Sequence, residues 1–124
     1  MIGQWGEKIA ADYLVEKGYK VISRNVYGAA GEIDIVAHQA AEEVSCLVFV
    51  EVKTRTSKRH GYPEEAFNRA KYNHLSQSIA EYLEANPDFA GDWRIDVIAV
   101  IGAPGASSHQ IHHFEGIVMP DERE

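Results

Sequence analysis

Cys46-Leu47-Val48-Phe49-Val50-Glu51-Val52-Lys53-Thr54-Arg55 opens with five apolar side chains in a row and then admits charge at every second position. A strand that is apolar on both faces is covered on both, so this segment reads as the central strand of a sheet with helices packed on it. Upstream, Glu32 to His38 reads as a second strand, and the polar segment Gln39 to Ser45 as a longish loop that joins the two into an antiparallel hairpin. Tyr19 to Tyr27 is rich in β-formers and is followed by the turn signal Gly28-Ala29-Ala30-Gly31. Before it, Trp5, Ile9, Tyr13 and Leu14 recur at helical spacing over residues 5–17, with Gly18 as a stop.

Downstream, Pro63 with Glu64 and Glu65 reads as a helix opening, with proline in the first turn and carboxylates at the positive end of the dipole. Phe67, Ala70, Leu75, Ile79, Tyr82 and Leu83 form its apolar stripe, and Asn86-Pro87 ends it. Arg94 to Ile101 is the next strand. Strand, helix, strand connections wind right-handed and run parallel, so the order helix, three strands, helix, strand predicts an α/β fold with a central mixed sheet flanked by helices. A weak final strand is expected around Gln110 to Met119. Residues 1–119 then form one domain, and 120–124 a frayed acidic tail.

With 124 residues, 45% of them hydrophobic and 25% charged, the chain is long enough to bury one core. It offers no apolar run long enough to cross a bilayer, and its start lacks the basic-then-apolar layout of a secretory signal, so a cytoplasmic protein without a membrane partner is expected. A lone cysteine rules out an intrachain disulfide and four-cysteine zinc sites. Cys46, inside an apolar run, reads as a buried thiol. The net charge of −7 disfavours a polyanionic partner until its distribution is considered. Between Lys53 and Lys71 stand six basic residues (Lys53, Arg55, Lys58, Arg59, Arg69, Lys71) against Glu64 and Glu65, a net +4 that leaves −11 for the remainder. This cationic segment reads either as a solvated loop or as a grip on phosphates.

Period two sets Glu51 and Lys53 on one face, which they share with Leu47 and Phe49. Charges at the end of a core face are costly without a partner or a purpose. The hairpin can also bring Asp34 beside Glu51, two like charges that a divalent cation between them would reconcile. Two carboxylates with water and a phosphate oxygen make the hard oxygen shell that Mg²⁺ or Mn²⁺ prefers. In such a site Lys53 would orient the attacking water or stabilise the pentacovalent state. A Glu-x-Lys triplet is common, however, and the pair reads equally as a surface ion pair worth under about 1 kcal/mol.

At these residues the sequence resembles a known family. Gly31-Glu32-Ile33-Asp34 and Val48-Phe49-Val50-Glu51-Val52-Lys53-Thr54-Arg55 look like the signature of the YraN-like family of small bacterial proteins, which is similar to archaeal Holliday junction resolvases and belongs to the PD-(D/E)xK nuclease superfamily, with its restriction-endonuclease-like fold. Gly6-Glu7-Lys8-Ile9-Ala10, Gly18-Tyr19, Arg24-Asn25, Lys71 and Arg94-Ile95-Asp96-Val97 match the family elsewhere. The resemblance implies Asp34 and Glu51 as metal ligands, the Val52 carbonyl as a further one, Lys53 as the catalytic lysine and Glu7 as an auxiliary acid. Glu7 reads equally as an ordinary first-turn carboxylate. Glu32 is read as pairing with a nearby arginine, Asp96 as a structural ion pair with Arg94, and the histidines 109, 112 and 113 as a coincidental cluster rather than a transition-metal site.

The function these readings lead to is a Mg²⁺- or Mn²⁺-dependent DNA endonuclease, with junction preference implied by the resemblance alone. Arg55, Lys58, Arg59, Arg69 and Lys71 would hold phosphates, and a homodimer would cut two strands. The alternative is a non-catalytic nucleic-acid-binding module of the same fold, and a third reading is a partner-binding protein with an acidic surface.

Overall fold

The computed structural model describes residues 2–41, 44–56, 67–89 and 91–118. Its elements are α1 (Ile2–Glu16), β1 (Lys20–Gly28), β2 (Gly31–Ala41), β3 (Val44–Arg55), α2 (Arg69–Ala85), β4 (Asp92–Ile101) and β5 (Gln110–Phe114). The strands form one sheet in the order β1-β2-β3-β4-β5, with β3 and β4 parallel and every other pair antiparallel. This is a mixed α/β fold compatible with the restriction-endonuclease-like architecture, and β3 is its central strand.

Alternation along β3 divides the core between the two helices. Cys46, Val48 and Val50 pack with Ala10, Ala11 and Leu14 of α1, whereas Leu47 and Phe49 pack with Leu75 and Ile79 of α2. Phe49 is fully buried and meets the rings of Tyr82 and Trp93 edge-on, at 5.5 and 5.9 Å between centroids. Helix α1 stops at Gly18, whose φ of 93° suits glycine. There the Tyr19 N–H donates to the Leu14 carbonyl and the Gly18 N–H to the Val15 carbonyl, so the last carbonyls of the helix are not orphaned. Among the described residues no helix is long and apolar enough to cross a membrane.

Helix α1 starts earlier than expected, at Ile2, and β4 at Asp92, and three further boundaries differ from the sequence reading for reasons the structure shows. The segment Gln39 to Ser45 is not a long loop, because the pairs Gln39↔Cys46, Ala40↔Ser45 and Ala41↔Val44 continue the hairpin. Ladder hydrogen bonds do not depend on side chains, so polar residues extend a strand pair beyond the core. The second helix begins at Arg69, with Asn68 as its cap accepting the Lys71 N–H at 3.0 Å, and Phe67, though buried, precedes it. The expected opening at Pro63, Glu64 and Glu65 lies outside the described residues, as do Lys58, Arg59 and the acidic tail from Asp121. Finally, β5 ends at Phe114, five residues short of Met119, where the chain turns through Gly116 at φ 64°.

That turn is fastened by Asp96, which is fully buried on β4. Its carboxylate accepts from Arg94 Nε (2.9 Å) and the Gly116 N–H (3.0 Å), and lies 2.7 Å from His113 Nε2. Arg94 in turn donates to Gln39 and to the Tyr19 hydroxyl, and His113 Nδ1 lies 3.1 Å from the Tyr13 hydroxyl. Burial alone would raise the Asp96 pKa. His113, Arg94 and the Gly116 amide outweigh it and hold the carboxyl below the usual carboxylate value. Asp96 therefore plays the structural role its sequence context suggested. The three histidines are not gathered: His113 serves Asp96, His109 stands edge-on to Trp5 at 6.1 Å, and His112 occupies the next position of β5, pointing to the opposite face.

Replacing Asp96 with alanine removes the buried acceptor shared by Arg94, His113 and the Gly116 N–H, and should cost on the order of 1–3 kcal/mol. Denaturant unfolding of Asp96→Ala beside the parent protein measures this. Because the folded-state pKa is depressed, the stabilisation from Asp96 is complete above the unfolded carboxylate pKa and is lost as pH falls through the folded value.

Candidate metal centre

The hairpin between β2 and β3 does not pair along its whole length. Its register runs from Ala41↔Val44 to Ile35↔Val50 and stops, after which β2 pairs with β1 alone and β3 with β4 alone. The two central strands therefore fork, and one more step of register would have set Asp34 across from Glu51. Beyond the fork the Val52 N–H has no ladder partner on β2 and donates to Asp34 Oδ2 at 2.8 Å. Strand β2 is irregular at this point. Ile33 packs with the α2 cluster and Ile35 with the α1 cluster, although residues two apart share a face in a regular strand. The Asp34 carboxylate thus lies in the gap between strands rather than squarely on either face.

Other acids converge on the gap from three elements. Glu51 and Lys53 of β3 are side by side, with Lys53 Nζ 3.2 Å from Glu51 Oε1 and their side chains only 17% and 11% exposed. From β2 comes Glu32 and from α1 Glu7, which with Asp34 place carboxylate oxygens within 4.8 Å of one another. Gly6 makes the approach of α1 possible, since a β-carbon there would collide with the side chain of Thr54. Asn25 on β1, with φ 54° the single described non-glycine residue in the left-handed region, sets its side-chain amide against Glu7 and Glu32, and these acceptor-only carboxylates assign the amide nitrogen to their side.

Two cavities open on the gap and share Glu32, Asp34 and Glu51. One, of about 270 Å³, is walled by Lys71 and His74 of α2, and the other, of about 480 Å³, by Glu7, Asn25, Lys53 and Arg55.

The electrostatics follow from this crowding. Asp34 is pushed up to about 7, first by burial and then by Glu51, with Glu7 and Glu32 adding and the Val52 N–H opposing. Burial and Glu32 raise Glu7 while Arg24 pulls it down, and burial with Glu51 raises Glu32. Lys71 is lowered, chiefly by the ammonium of Lys53 beside it. The carboxylates of Glu7, Glu32 and Asp34, with that of Glu51 beside them, make a hard oxygen donor set suited to a divalent cation. The Val52 carbonyl can join them, because N–H and C=O of one strand residue project to the same edge and its N–H already points at Asp34.

Asp34, Glu51, Val52, Lys53 and Glu7 are therefore brought together, with Lys71 at their side. Arg55 lines the larger cavity and donates to the Thr54 carbonyl, whereas Arg69 opens α2. Lys58 and Arg59 lie outside the described residues. Glu32 stands with Glu7 and Asp34 at the gap, because the fork turns its segment of β2 toward it; the arginine whose charge is felt among the described residues there, Arg24, acts on Glu7. Asn25 and His74 were missed. The signal for Asn25 was a poor β-former inside a strand, and for His74 its place three residues after Lys71 on one helical face.

A family model described as "Uncharacterised protein family UPF0102" matches residues 6–100, a span that contains every residue of the gap. A UPF0102 protein of Syntrophomonas wolfei subsp. wolfei is 41% identical over 115 residues, covering 91% of this chain and 96% of the relative. Others, from Syntrophotalea carbinolica (40%; 93% and 89% covered) and Herpetosiphon aurantiacus (36%; 94% and 92%), are similar over nearly their whole lengths.

An acid whose pKa is raised on folding binds more protons folded than unfolded, so without metal its contribution to stability falls as pH rises from about 4 through 7. In EDTA, Asp34→Asn should therefore be more stable than the parent at pH 8, by an amount on the order of a few kcal/mol, and nearly equal to it at pH 4. Thermal unfolding at the two pH values checks this, and Mn²⁺ should raise the Tm of the parent but not of the variant.

Proposed function

The chain belongs to the UPF0102 (YraN) family of bacterial proteins, and we propose that it is a metal-dependent DNA endonuclease that hydrolyses phosphodiester bonds, with branched or four-way DNA as its substrate. The observation that carries this reading is the Asp34 carboxylate, set in the fork beside three further acids, one of which, Glu51, holds the ammonium of Lys53. The similarity of its motifs to those of Holliday junction resolvases supports the substrate class. A cytoplasmic homodimer would place two such sites on one junction.

Asp34 and Glu51, with the Val52 carbonyl, would hold Mg²⁺ or Mn²⁺, and Glu7 and Glu32, whose carboxylate oxygens lie within 4.8 Å of those of Asp34, would offer further oxygen donors. When bound, the ion supplies positive charge to the phosphoryl oxygen and lowers the pKa of a water. Lys53, held by Glu51, donates to the attacking water and fixes its approach, and its charge offsets that gathering on phosphorus. Lys71, beside Lys53, adds a second cation on the α2 wall where a phosphate flanking the scissile bond would lie. Arg55 at the rim of the larger cavity, with Arg69, Lys58 and Arg59, would hold the backbone beyond it.

A cleavage assay on linear, single-stranded, flap and four-way DNA with Mg²⁺ or Mn²⁺ tests this reading. Cleavage should need the ion and fall about 10²–10⁴-fold in Asp34→Ala and in Lys53→Ala, while DNA retention at low salt persists. Retention without metal-dependent cleavage by the parent protein would leave only the binding module.

A further inference from the structure

Next to the acidic gap lies a third cavity of about 430 Å³ with a different character. Val26 and Ile33 form its floor and Tyr82 of α2 one wall, with Ser78 and Glu81 on the same helix. Its other wall is Tyr27, which also lines the larger acidic cavity and so stands between the two. Tyr27 is 77% exposed, so its ring presents a face to solvent at the lip of the polar site. Among the described residues lining this third cavity there is no lysine or arginine to meet a phosphate. It offers apolar walls, an exposed aromatic face and one carboxylate. Glu81 accepts the Ala29 N–H at 3.1 Å, ties the β1–β2 turn to α2, and keeps acceptor capacity for an amino group. Size and lining fit a planar, uncharged ring with an exocyclic amine.

We propose that this cavity receives an unpaired nucleobase next to the scissile phosphate, stacked on Tyr27 and reading its amino edge with Glu81. The inference rests on the nuclease reading and narrows its substrate: the preferred DNA has an unstacked nucleotide at the cleavage position, as duplex ends, flaps and branch points do. A base inside a continuous duplex cannot reach the cavity without being extruded, which costs stacking and pairing.

The experiment compares three DNA probes, with Ca²⁺ replacing Mg²⁺ so that the strands stay intact: a full duplex, the same duplex with one bulged cytosine, and a third with an abasic residue in place of that cytosine, the last two having equal length and charge. The parent protein should bind the cytosine probe at least about tenfold tighter than the abasic one, the discrimination expected from one base stacked on an aromatic ring. Tyr27→Ala should bring that ratio close to one and Tyr27→Phe should retain it. Ala85→Trp, which fills the cavity from the end of α2 away from the acidic gap, should abolish it too. Equal affinity of the parent protein for the cytosine and abasic probes would overturn the base pocket, while leaving the nuclease reading intact if the same preparation cleaves DNA with Mg²⁺. Absence of both DNA binding and metal-dependent cleavage would remove both.

Discussion

The hydrogen bond from the Val52 N–H to the Asp34 carboxylate is the contact on which the site depends. A strand that leaves its neighbour must find another acceptor for each inward amide, and an unsatisfied one in a buried position costs on the order of 1–3 kcal/mol. Beyond the pair Ile35↔Val50 the chain meets this need with a side chain rather than a backbone carbonyl. That substitution lets the strands fork, and the fork makes room for carboxylates from β2, β3 and α1 in one gap. A hairpin paired to its end would have closed the space and left Glu51 on one face of an unbroken sheet.

Two aspartates, on strands either side of β3, show how the surroundings of a carboxylate decide its use. Asp96 is met by a guanidinium, an imidazole and an amide, stays ionised and fastens the turn after β5. Asp34 is met by one amide and three other acids and is pushed up to about 7. The first arrangement is complete within the chain. The second leaves charge unbalanced, and proteins retain unbalanced buried charge where a ligand or a reaction needs it.

Charge is also segregated across the sheet. The carboxylates enter the gap from α1, β2 and β3, whereas Lys71 and His74 border it from the first turns of α2, and Lys53 stands between them. A phosphate group approaching this boundary meets the ammonium of Lys71 on one wall and, on the other, acids that repel it unless a divalent ion intervenes. The overall charge of −7 is therefore a poor guide to the surface a substrate would meet.

Sequence alone determined the element order, the central place of β3 and the pairing of Glu51 with Lys53 on one face, because periodicity and apolar runs are local properties that survive without knowledge of contacts. It also marked Asp34 and, through its motifs, the family. Only the tertiary structure decided that β2 and β3 part after Ile35↔Val50, that Glu32 joins the acids, that Asn25 bridges Glu7 and Glu32, and that His74 overlooks the gap. Each of these is a meeting of residues distant in sequence, or a break in register, and neither leaves a periodic trace: where two strands separate is set by which backbone amides find partners, and that is known only once the strands are side by side.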